Sequence, residues 1–424
     1  SSALSAIDFG SETWTVSGTW TNASTDATVW DAGSGSILFN AFGAITMTFA
    51  GANLAENEFN NVEFDASGGA GTTYTMATRG LQWGGTLTIE ETVEAETRLD
   101  KSTQTLTGGA LTLTHGGALA ASLVSTSGAV SVTTVSIVGA NSFIDFGSEA
   151  WTVSGTWTNA TTSASWDAGT GTVTFTSATG GTMTFAGANL AEAEFNSVTF
   201  TSSAGTAQTF TMATRGLRWL TTLTISDTVS TTALASADLA LGAAADAADV
   251  VVGNGGILTA NASTVLVNGV TMTGGTSGTV TVTTGAWTVS GSWNTSGAGS
   301  TYTQGTGIVT FDATATITLL STDNTFDDLT ISAGTATMAS AVIVTNTLSV
   351  TGTLATANLA LTTGPMVINN AGILTANAST VLATTVTMTG GTSGTITVTT
   401  GAWTVSGSWN TSGAGSVYTQ GTGI

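Results

Sequence analysis

Along most of the chain, apolar residues take alternate positions and Thr, Ser or Gly fill those between, as in "GTVTF" (Gly171–Phe175), "GTMTF" (Gly181–Phe185), "TVTV" (Thr279–Val282) and "TLSV" (Thr347–Val350). Successive side chains of an extended strand point to opposite faces, so this alternation predicts short, half-buried β-strands separated by glycine turns. A helical period of 3.6 is not sustained anywhere. The one helix candidate is the Ala-rich stretch near Ala243–Asp249.

The pattern also recurs at a longer scale, and that period predicts the architecture. "WTVSGTWTN" stands at Trp14–Asn22 and again at Trp151–Asn159, and "WTVSGSWNT" stands at Trp287–Thr295 and Trp403–Thr411. Other landmarks keep step: "FAGANLAENEFNNVEF" (Phe49–Phe64) answers to "FAGANLAEAEFNSVTF" (Phe185–Phe200), and "TMATRGLQW" (Thr75–Trp83) to "TMATRGLRW" (Thr211–Trp219). The first tryptophans are 137, 136 and 116 residues apart. The shorter third copy loses its residues in four places between strand-like runs, which points to shortened corners and an unchanged number of strands.

A propeller blade of about 40–50 residues is too short for this period, and a string of sandwiches needs linkers that the sequence lacks. The expected fold is all-β: a parallel β-solenoid (β-helix) rod built from tandem modules of about 116–137 residues. Five to seven coils of roughly 20–25 residues per module are expected. The boundaries place residues 1–13 at the end of a preceding repeat, modules at 14–150, 151–286 and 287–402, and the start of a fourth at 403–424.

Each motif carries two tryptophans: Trp14 and Trp20, Trp151 and Trp157, Trp287 and Trp293, Trp403 and Trp409. In one extended strand Trp14, Val16, Gly18 and Trp20 share a face, with Gly18 leaving room for its neighbours. The eight are therefore expected to anchor the core, each removing about 150–250 Å² from water. The rival reading is an outward aromatic platform for stacking sugars.

Composition narrows the function. Charged residues are only 7% of the chain, the net charge is −21, and the basic side chains are Arg79, Arg98, Lys101, Arg215 and Arg218. Nucleic-acid binding needs cations against phosphate, so no nucleic-acid partner is expected. An anionic membrane surface is disfavoured for the same reason. The longest apolar run, Leu234–Gly253, holds Asp238, Asp246 and Asp249, so no transmembrane insertion is expected.

Candidate chemistry is sparse. With one histidine (His115) and no cysteine, a His-based triad has one candidate base and a thiolate zinc site has no ligand; no enzymatic activity and no cofactor are expected. Glu56 and Glu58 recur in register as Glu192 and Glu194, and these acids are expected at solvated corners, where carboxylates blunt exposed edges. The Glu90, Glu91, Glu94, Glu96 and Asp100 group is expected to form a solvated face. Asp323, Asp327 and Asp328 in "DNTFDD" are the calcium candidates. Asn-x-Ser/Thr occurs at Asn22, Asn159, Asn261, Asn294, Asn377 and Asn410, the N-glycosylation candidates. Thr-x-Thr pairs at Thr182/Thr184, Thr271/Thr273, Thr281/Thr283, Thr387/Thr389 and Thr397/Thr399 are candidates for a flat hydroxyl array facing ice.

Together, "WTVSGTWTN", "GTGTVTF" and "FDDLTIS" resemble the repeats of very large secreted bacterial and archaeal surface proteins, adhesin-like β-solenoids of the haemagglutinin-repeat kind. The resemblance runs module by module along the chain. It implies an exported parallel β-helix at the cell surface or outside the cell, used as stalk, fibre or adhesin. Neither end of the sequence resembles a capping coil, which leads us to expect copies of the chain meeting end to end or side by side as a filament, with glycans or host and cell surfaces as further partners. The alternative is a ligand-binding solenoid, for ice or for glycans.

Overall fold

The computed structural model describes residues 7–24, 30–49, 57–66, 71–92, 95–115, 119–139, 141–161, 166–185, 193–242, 248–275, 278–320, 324–389, 391 and 394–422. The chain is a parallel β-solenoid. Strands pair in parallel with the equivalent strand one coil later, as Ser36–Ala41 pairs with Asn61–Ala66. Among the described residues there is no helix, and so none long and apolar enough to cross a membrane. Of the Ala-rich stretch, residues 243–247 lie outside the described residues, while Ala248 is buried and Asp249 opens the strand Asp249–Val252.

The alternation in the sequence is the alternation in burial. In Ser36–Ala41 and Asn61–Ala66 every second side chain is buried and those between are half-exposed. Stacking coils put Phe39 on Phe64, rings 5.2 Å apart and nearly parallel, and Phe175 on Phe200 in the same way. The core is thus a set of apolar columns running from coil to coil.

The chain forms two compact units: Ser1–Ala204 with Phe210–Arg215, and Gly205–Thr209 with Gly216–Ile424. Both keep the same ladder. In the first, one column runs Trp14, Ile37, Val62, Leu87, Leu111, Val135, Trp157. In the second, the equivalent column runs Trp287, Val309, Leu329, Leu348, Met366, Val386, Trp409. Each makes six coil-to-coil steps, although the second does so in 122 residues against 143. A coil takes 21–29 residues in the first unit (Val130 to Trp151, Met47 to Met76) and 18–27 in the second (Leu348 to Met366, Leu223 to Val250). The number of steps stays constant, but the expectation that only corners shorten does not hold: described strands shorten too, from Leu81–Glu91 and Leu106–His115 in the first unit to Leu348–Val350 and Leu361–Ile368 in the second.

In both units the column that starts on the first tryptophan of one motif ends on the second tryptophan of the next. Six coils therefore overshoot one repeat by six residues, the length of one strand and its corner.

The motif itself differs from the single strand expected. Ala150–Val153 and Trp157–Asn159 are separate strands around a bend that contains Gly155. A Cβ on Gly155 would lie 2.8 Å from the Thr133 carbonyl oxygen of the coil below, and Gly291 and Gly407 stand the same way over Asn268 and Thr384. The glycine is needed because the bend rests on backbone, and not to make room for the tryptophans.

Candidate functional site

Both tryptophans of each inner motif turn into the core. Trp151, Trp157, Trp287 and Trp293 are fully buried, each with a paired strand on both sides, as Trp151 lies between Val130 and Val173. Phe146 fills the space beside Trp151 and Trp157, with ring centroids at 5.0 and 6.0 Å. In the second unit Trp287 and Trp293 meet directly, edge to face at 5.5 Å. The outer motifs are open: Trp14 and Trp409 are exposed, and Trp20 and Trp403 half-buried. Among the described residues their strands pair with a coil on one side only.

Three of the five basic side chains lie inside. Arg79 is buried on Glu58, and Arg215 on Glu194 in the next copy. Each guanidinium also lies over a phenylalanine ring, Phe49 at 4.9 Å and Phe185 at 4.7 Å. The second oxygen of Glu58 accepts the Gln82 backbone N–H at 2.9 Å. Burial raises the Glu58 carboxyl above its ordinary range, against the pull of Arg79. Glu58 and Glu194 are thus not solvated corner acids; they are the buried halves of repeated ion pairs. Glu56 and Glu192 lie outside the described residues. Sequence reasoning missed this, yet a signal was present. Glu and Arg stand 21 residues apart in both copies, and both are absent from the third, where Thr325 precedes the matching phenylalanine and Ala341 stands three residues after the matching methionine. There the Ser340 hydroxyl accepts the Leu319 N–H at 2.7 Å, and Leu319 replaces the phenylalanine.

Lys101 makes a second buried clamp. Its ammonium donates to the carbonyls of Gln104, Ser127 and Gly128 at 2.7–2.9 Å and sits 3.1 Å from Glu149. Glu149 also accepts from the Ser125 hydroxyl and from the Trp151 indole N–H at 3.0 Å. Burial pushes Lys101 down and Glu149 up from their usual ranges. Glu149 opposes the shift of Lys101, and the four oxygens around the ammonium tie three successive coils together. Glu91, expected on a solvated face, is buried 3.1 Å from His115 Nδ1 and accepts the Ala95 N–H. Glu94 lies outside the described residues, and Glu96 is exposed.

Of the calcium candidates, Asp323 lies outside the described residues. Asp327 accepts the Thr345 hydroxyl at 3.1 Å, and Asp328 accepts the Thr347 N–H at 2.8 Å and the Asn346 side-chain amide at 3.1 Å. Both carboxylates are thus occupied by the next coil. Among the described residues no three His, Cys, Asp or Glu side chains gather as a metal would require.

The Asn-x-Ser/Thr motifs have a structural use. The Oδ1 of Asn22, Asn159, Asn294 and Asn410 accepts the backbone N–H two residues on, at 2.9–3.1 Å, closing an Asx turn at the same corner in every copy. At Asn159 and Asn294 the hydroxyl of that residue donates to the same oxygen. Asn22 and Asn159 are buried, with their amide nitrogens shielded from solvent. Asn294 is half-buried and Asn410 exposed. Asn261 and Asn377 are half-buried at corners where each has a positive φ, 48° and 46°, a conformation asparagine tolerates.

The five Thr-x-Thr pairs do not form one rank. Thr273, Thr283, Thr389 and Thr399 lie beyond the strand ends, and the pair Thr182/Thr184 belongs to the first unit. A depression of about 270 Å³ in the second unit is lined by Thr362, Leu382, Thr384, Thr404 and Ser406 and neighbouring side chains, none of them titratable.

Compared with protein families, curated proteins and solved structures, the chain finds no match in any of the three.

Proposed function

We propose that the chain is a structural segment of an extracellular fibre or cell-surface stalk, an adhesin-like β-solenoid whose work is mechanical. The observation that carries this is the constant ladder. Two units of different coil length both make six steps from tryptophan to tryptophan, so the feature they share is an uninterrupted stack of paired strands. The charged groups support the same reading. Arg79, Lys101 and Arg215 bind acids of neighbouring coils and leave few polar groups converging on a ligand. In such a segment, copies of the chain associate end to end or side by side, and glycans are carried on the accessible asparagines, Asn294 and Asn410 first. Force along the stack is resisted by many parallel hydrogen bonds at once.

Electron microscopy of native material tests this. Fibres or stalks whose power spectrum shows a repeat of about 4.7–4.8 Å along the long axis are expected. Native material found as dispersed single chains inside the cell overturns the proposal.

A further inference from the structure

One outer face of the second unit carries a regular array that the mechanical role does not require. The strands Ala315–Thr318, Thr335–Met338, Thr353–Ala355, Ile373–Asn377, Thr395–Val398 and Val417–Gln420 are successive rungs of one ladder. Their outward positions form two columns. The first runs Thr316, Thr337, Ala355, Thr375, Thr397, Thr419. The second runs Thr335, Thr353, Ile373, Thr395, Val417. All eleven side chains are exposed or half-buried. Eight are threonine, and ten are β-branched, so nearly every site presents a γ-methyl, with a hydroxyl beside most of them.

Strands favour β-branched residues in general, so the neighbouring face is the control. It too carries threonine, in a column that runs Thr310, Thr330, Ser349, Val367, Thr387, Asn410, but Asp328 and Pro365 stand beside that column. Two adjacent columns free of charge and of proline are what sets the first face apart. Nothing charged and nothing aromatic stands in either column, which removes ionic partners and the stacking of sugar rings. Six strands about 4.8 Å apart and two columns wide cover only a few hundred Å², well short of the ~800 Å² per partner that a stable protein interface buries. A second copy is therefore a poor occupant.

What remains distinctive is two-dimensional periodicity: about 4.8 Å from rung to rung and about 6.7 Å between alternate residues of a strand. A ligand that matches it must repeat its own hydrogen-bonding groups in two dimensions on the same scale. We propose that this face binds ice, with the hydroxyls joining the lattice and the methyls ordering the water between them. The proposal is independent of the fibre role and stands or falls separately.

The test uses the purified full chain in an ice-recrystallisation assay and in adsorption of the labelled chain to a single ice crystal. The wild-type chain is expected to arrest grain growth and coat the crystal. The double variant Thr337→Lys with Thr397→Lys is expected to need about tenfold or more protein for the same arrest. Thr330→Lys with Thr387→Lys, on the neighbouring face, is expected to behave as wild type. Thr337→Val with Thr397→Val keeps the shape and guards against misfolding; it too must lose activity, by less than the lysine variant. Wild-type protein that leaves ice growth unchanged overturns the proposal, as does a valine variant of full activity or equal loss from both lysine variants.

Discussion

At the scale of single residues, the repeated Glu–Arg pair is the clearest case of chemistry turned to structure. Glu58 and Arg79 are buried together, so removing one leaves a charge without its partner in a dry site. Arg79→Ala is expected to cost about 3–5 kcal/mol in unfolding free energy. The third copy indicates how the pair is dispensable as a unit: Thr325 and Ala341 stand in its sequence register. Glu58→Thr combined with Arg79→Ala should therefore cost less than Arg79→Ala alone, a non-additive cycle that denaturant titration of the three variants will show. The asparagines carry a different lesson. A glycan acceptor calls for Asn with Ser or Thr two residues later, and an Asx turn, which needs only the backbone N–H there, gains a second donor from that hydroxyl, so the sequence pattern at Asn159 fits either, and the buried amide nitrogen separates them.

At the scale of strands and corners, the alternation of apolar and polar residues was legible because burial on one side of a strand imposes it directly. Corners were less so. "WTVSG" reads as one strand because the 2-residue period runs through it; the bend at Gly155 arises from contact with Thr133 a coil below, which no local pattern reports. Gly155→Ala is expected to destabilise by about 1–3 kcal/mol through overpacking. Gly18→Ala has open space around the new methyl and should be near neutral, within about 0.5 kcal/mol; thermal melts of the two variants compare them directly. Adjacent strands also set the acid–base behaviour of the first unit. Asp65 pairs in register with Glu90, and Glu63 lies two residues away. Burial first, then their mutual repulsion, raises Glu63 and Glu90 above the ordinary 4.5. Asp65 is raised by burial too, against the Thr92 hydroxyl. A carboxyl raised on folding binds its proton more tightly in the folded state. Its contribution is complete below the unfolded value and is lost as pH climbs through the raised one. Glu63→Gln should thus be more stable than wild type at pH 7, with the gap closing as pH falls towards 4.5. A gap that widens on acidification would contradict the assignment.

For the whole molecule, the sequence carried the solenoid because its repeats outrun any other architecture; it carried no sign that the shorter copy trims its strands as well as its corners. It did not reveal where the positive charge went. Twenty-six acids face five basic residues, and three of those five are buried. The outer surface is accordingly more one-sided than composition suggests. Salt screens like charges in solvent but barely reaches the buried pairs. Raising sodium chloride from low to moderate concentration should therefore raise the melting temperature slightly, by a few degrees at most given how sparse the acids are. A fall would mean that exposed ion pairs dominate.

The mismatch between repeat and coil has a consequence for how such a chain grows. Six turns of the thread run six residues past one copy of the motif, so each duplicated block arrives out of phase with the last, like a wallpaper motif hung on a spiral. Lengthening by whole copies renews the tryptophan columns without interruption, because first and second tryptophans are interchangeable partners in the stack. The same step carries any outward pattern around to another side. Duplication alone therefore does not extend a decorated column such as the threonine array; it sets the copied pattern on the neighbouring strand of the coil.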